Sequence, residues 1–130
     1  MRMKAVLAAG VLVVAGAVVF AVGRSASADP INVTTTGTHY AATVLIEDPH
    51  PGRVAVQVEV GKGDADSVAL SAVMADMGHS TPEVTATERQ PGRFVAEGEL
   101  FSMSGVWELS IRLDGPAGEE QLAVKALITD

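Results

Sequence analysis

Hydrophobic and polar residues alternate along most of this chain with a period of two. The clearest stretch is Val54-Ala55-Val56-Gln57-Val58-Glu59-Val60, which sets four valines on one side and Ala, Gln and Glu on the other. A half-buried β-strand requires this alternation, because successive side chains leave opposite faces of the pleat. Val106 to Leu113 repeats the pattern with Trp107, Leu109, Ile111 and Leu113 inward, and Arg93 to Leu100 does so with Phe94, Ala96, Gly98 and Leu100. Tyr40–Ile46, Ser67–Met74 and Glu120–Thr129 are rich in β-branched and apolar residues and are read as further strands. A short strand near Glu83–Thr87 makes seven.

Turn residues separate these runs: Pro49-His50-Pro51-Gly52, Gly61-Lys62-Gly63-Asp64, Gln90-Pro91-Gly92 and Asp114-Gly115-Pro116. Short strands at regular spacing predict an all-β fold, an immunoglobulin-like antiparallel β-sandwich of about seven strands over residues 38–130. Tyr40, Phe94, Phe101 and Trp107 are its only aromatics, so Val, Leu and Ile must fill the core. Residues 29–37, with three consecutive threonines, read as a polar tether into the first strand.

The pattern before residue 29 is different. Arg2 and Lys4 precede an uncharged apolar run over residues 5–23, and Ala26-Ser27-Ala28 resembles an export cleavage site. Residues 1–28 therefore read as a signal sequence or a signal anchor built on a hydrophobic helix. The length of the run favours an uncleaved anchor, since about 20 apolar residues span a bilayer. Both readings place the sandwich outside the cytoplasm, tethered to the membrane in one case and secreted or periplasmic in the other.

Charge and composition narrow the functions. Beyond Ala28, Arg53, Lys62, Arg89, Arg93, Arg112 and Lys125 face all 16 acids, a net charge of −10. Such a surface repels phosphate backbones and excludes nucleic acid as a partner. The absence of cysteine excludes disulfides, thiolate metal sites and a Cys nucleophile. No nucleophile–base constellation or phosphate loop is visible, so an enzyme is not expected.

One cluster is unusual. Met74-Ala75-Asp76-Met77-Gly78-His79 sets two methionines and a histidine at a strand exit, and Met103 follows in Phe101-Ser102-Met103-Ser104-Gly105. Thioether and imidazole donors without thiolate select copper, Cu(I) above all, over calcium or magnesium. Met74, Met77, His79 and Met103 are the candidate metal ligands. By parity Met74 also belongs to the inward face of its strand, where methionine is a common core filler, and Met103 serves equally as a plug at the sandwich end. His39 and His50 stand apart and read as solvated. Asp64 and Asp66 lack the register of a calcium loop.

The block Met74 to His79, then Gly92-Arg93-Phe94, then Met103-Ser104-Gly105-Val106-Trp107 resembles the YtkA-like domain family, to which the FixH proteins are related. The match spans Val54 to Leu113, and Ala75-Asp76 replaces the usual proline-containing pair. The resemblance implies an extracytoplasmic sandwich, commonly behind one membrane helix, with a role in copper handling or cytochrome oxidase assembly. It also implies Met74, Met77, His79 and Met103 as the metal-facing set. The expected partner is a copper acceptor or another envelope protein. The competing expectation is a structural or interaction module without metal.

Overall fold

A computed structural model of the protein describes residues 29–129. The apolar run over residues 5–23 and its cleavage motif lie outside the described residues. Among the described residues, no helix is long and apolar enough to cross a membrane.

Among the described residues, ten strands form two antiparallel five-stranded sheets. In chain order they are β1 (Ile31–Thr36), β2 (Ala41–Ile46), β3 (Gly52–Lys62), β4 (Ser67–Met74), β5 (His79–Ser80), β6 (Val84–Thr85), β7 (Thr87–Gln90), β8 (Arg93–Phe101), β9 (Gly105–Gly115) and β10 (Gly118–Ile128). One sheet runs β1-β2-β3-β8-β7. The other runs β10-β9-β4, with β5 and β6 both pairing along the free side of β4.

The alternation in the sequence becomes burial. Val54, Val56 and Val58 of β3, Phe94, Ala96 and Leu100 of β8, and Trp107, Leu109, Ile111 and Leu113 of β9 all lie in one core between the sheets. Trp107 meets Phe101 edge-to-face at 5.8 Å between ring centroids, a geometry that adds about 0.5–1.5 kcal/mol to simple area burial. No polar or charged residue is buried among the described residues, so the core carries no desolvation debt.

Two expectations change. Residues 31–36 of the expected tether form β1, paired with β2 from Ile31↔Ile46 to Thr36↔Ala41. Threonine is polar but β-branched, and Ile31 and Val33 pack against the core. The stretch is therefore an edge strand with one half-buried face. The single strand expected at Glu83–Thr87 is two: β6 pairs with β4 in one sheet and β7 with β8 in the other. The chain switches sheets at Ala86, whose N–H donates to the Val68 carbonyl at 2.8 Å. With the short β5, these raise the strand number above seven.

The sandwich has two distinct ends. One carries the start of β1, the 47–51 and 102–104 loops, the 75–78 turn and the end of β10. The other carries the 37–40, 63–66, 91–92 and 116–117 connections. This second end is locked by one carboxylate. Glu120 accepts backbone N–H bonds from Thr38 (2.6 Å), His39 (2.8 Å) and Tyr40 (3.0 Å), and the Tyr40 hydroxyl donates to the Gly118 carbonyl at 2.7 Å.

Candidate metal-binding end

β4 stops at Met74 because the backbone tightens into a 3-10 turn over Ala75–Met77. Gly78 closes that turn at φ 70, ψ 17, and its N–H donates to the Ala75 carbonyl at 3.3 Å. This left-handed conformation is cheap only for a residue without Cβ. The chain then returns as β5, with Met74 opposite His79 and Val73 opposite Ser80. Thr81 staples the return: its N–H donates to the Ala72 carbonyl at 2.9 Å, and its hydroxyl accepts from the Ala72 N–H at 3.1 Å.

Directly opposed residues of an antiparallel ladder share a face, with Cβ atoms about 4.5–5.5 Å apart. The turn therefore sets Met74 and His79 opposite each other in the ladder. Met74 is 4% exposed, while His79 lies at the exposed sheet edge. Each candidate donor thus has a different relation to solvent.

The second loop reaches the same place. The Met74 side chain lies over Gly105, its methyl 2.5 Å and its sulfur 3.6 Å from where a Cβ would stand. Gly105 follows Met103 by two residues. The Met103 carbonyl accepts the indole N–H of Trp107 at 3.0 Å, so the core tryptophan pins the loop. The Met103 side chain is 38% exposed, and Met77, on the outside of the 3-10 turn, is 58% exposed.

The structure thus pairs Met74 with His79 and brings the Met103 loop against Met74, while Met77 faces solvent on the turn itself. The arrangement places methionine sulfur and one imidazole at one end of an apolar core, donor types that suit copper better than calcium or magnesium. Of the supporting residues, Gly105 and Trp107 stand in the block that carries the family resemblance, whereas nothing in the sequence marked Thr81. Gly105 opens β9, and glycine in a strand marks the kind of position where backbone comes close to a neighbour.

Elsewhere the chemistry is sparse. Among the described residues, no three His, Asp or Glu side chains gather as ligands for a metal. His50 turns its Nδ1 to the Pro51 carbonyl at 2.7 Å. It lines a shallow groove of about 310 Å³ with Leu45, Glu47, Asp48 and Arg53. His39 packs beside the Tyr40 ring.

No family model matches the chain, and no curated protein matches it. Among solved structures, a copper-bound variant of FetP from uropathogenic Escherichia coli matches with a TM-score of 0.50 and 12% identity. The match covers 78% of this chain and 93% of that one. At that identity the likeness is one of fold.

Proposed function

We propose that this protein is an extracytoplasmic, immunoglobulin-like sandwich that binds or passes copper at the end carrying Met74, Met77, His79 and Met103. The observation that carries this reading is the cross-strand pairing of Met74 with His79, with Gly105, two residues after Met103, against the Met74 side chain. The copper-bound FetP structure supports it through the shared fold, and the resemblance of the same residues to YtkA-like domains points the same way.

The cargo is Cu(I), held by thioether and imidazole. Neutral sulfur releases no proton on binding, and it exchanges cargo with a partner by ligand replacement, without turnover. The chain is held at the membrane by residues 1–28, and its partner is a copper acceptor or another envelope protein. Assembly of cytochrome oxidase is one process that needs such a carrier.

A competition titration of the full chain against a chromophoric Cu(I) chelator tests this reading. Wild type is expected to withdraw Cu(I) from the chelator in a saturable way, and the Met77→Leu/His79→Ala double variant to lose that ability. Equal binding by both sinks the assignment of the site.

The burial of Met74 favours one alternative, a structural envelope module in which these residues simply close the sandwich end. In that case added Cu(I) leaves the thermal midpoint of the wild type unchanged. A cargo bound to the native state alone raises it.

A further inference from the structure

The position at which the chain enters the sandwich bears on who can reach the candidate copper site. β1 begins at Ile31, opposite Ile46. Ile46 leads into the 47–51 loop, which returns at Gly52 opposite Phe101. Phe101 in turn leads through the Met103 loop to Gly105, beneath Met74. The N-terminal entry and the donor residues therefore share one end.

We infer that this end faces the bilayer, and that the exchange partner is the outward face of an integral membrane protein. The inference rests on the anchored reading of residues 1–28. Only residues 24–30 separate the apolar run from β1. Seven residues reach at most about 25 Å when fully extended. β9 has 11 residues, and at about 3.4 Å each the sandwich is roughly 37 Å from end to end. A connection that enters at the donor end is thus too short to run back along the flank and bring the 116–117 turn to the membrane.

The surface presented there suits a protein partner better than lipid. Met77 (58% exposed), Val106 (55%) and Leu127 (61%) are apolar and open, and Val106 pairs directly with Leu127 across β9 and β10. Glu47, Asp48, Asp76 and Glu108 lie at the same end. Carboxylates are costly to bury in lipid, while the apolar residues offer the kind of contact that mates with another protein.

The chain contains no cysteine, so Ser102→Cys and Ala117→Cys each create a unique labelling position, one at each end. Both side chains are exposed. Each full-length variant is labelled with an environment-sensitive fluorophore and reconstituted into phosphatidylcholine vesicles containing lipid with a nitroxide headgroup. The protein is expected to float with the vesicles, with quenching several-fold stronger at position 102 than at 117 and aqueous emission at both. Failure to float overturns the anchored reading and this inference with it. Flotation with equal or reversed quenching overturns only the orientation. Acyl-chain emission from position 102 in these vesicles, which hold no other protein, makes the lipid itself the occupant and overturns the partner.

Discussion

Met74 and Gly105 are in contact from adjacent strands: the thioether of one fills the space that a side chain on the other would need. Gly105 has φ +143, a conformation that L side chains rarely adopt. Two separate demands, on backbone and on space, therefore converge where the two candidate donor loops meet.

Gly105→Ala is expected to lower unfolding stability by about 1–3 kcal/mol, chiefly through backbone strain, since the methionine tip can shift aside. Urea denaturation checks this. The same variant displaces Met74 and is expected to weaken Cu(I) binding in the chelator competition. A variant with wild-type stability and wild-type binding contradicts the contact.

Met74 and the exposed donors are expected to separate stability from binding. Met74→Ala removes a side chain that is 4% exposed, and a cavity at such a site costs about 2–5 kcal/mol. His79→Ala and Met77→Leu change exposed positions, where effects stay within about 0.5 kcal/mol. If copper is the cargo, those two variants bind it less tightly while melting like wild type. Should they melt several degrees lower and bind as before, the structural reading prevails.

Trp107 offers an intrinsic reporter. It is the single tryptophan of the chain, is buried, and holds the Met103 carbonyl. Trp107→Phe leaves that carbonyl without its donor and is expected to cost about 1–3 kcal/mol. In the wild type, Cu(I) or the redox-inert Ag(I) is expected to change Trp107 emission in proportion to occupancy. An unchanged spectrum at saturating metal argues against a site beside the Met103 loop.

Acid sensitivity is expected at the opposite end. Partial burial raises the Glu120 carboxyl, but the N–H donors of His39, Thr38 and Tyr40 outweigh it and leave the pKa below the ordinary carboxylate value. A group whose folded pKa is depressed stabilises the fold above its unfolded pKa, about 4.3, and loses that contribution as pH falls through the folded value. The thermal midpoint is therefore expected to decline as pH drops below the ordinary glutamate range. Glu120→Gln, which exchanges one acceptor oxygen for a donor, should be less stable at neutral pH and show a shallower decline. Parallel melting curves for the two proteins across that range would show that Glu120 has no such role.

Much of the fold is legible in local pattern. The period-two runs of β3, β8 and β9 became the core because a pleated strand must send alternate side chains to opposite faces, and the valines of β3 had one apolar face to hide. β1 was not legible, since a run of threonines serves a tether and an edge strand alike until a neighbour pairs with it. The divided β6 and β7 were hidden for the same reason: which sheet a short strand joins depends on partners such as Val68 and Phe94, distant in sequence.

From its residue types alone, this chain determined an all-β domain without cysteine, acidic over its surface and carrying soft donors in two loops. The parity of its strand already put Met74 inward, but only the tertiary structure decided that His79 stands opposite it and that Gly105, next to the Met103 loop, lies against its side chain. Donor identity is local chemistry. The meeting of donors depends on register, on the Gly78 turn and on a strand that starts some thirty residues later, none of which side-chain composition encodes.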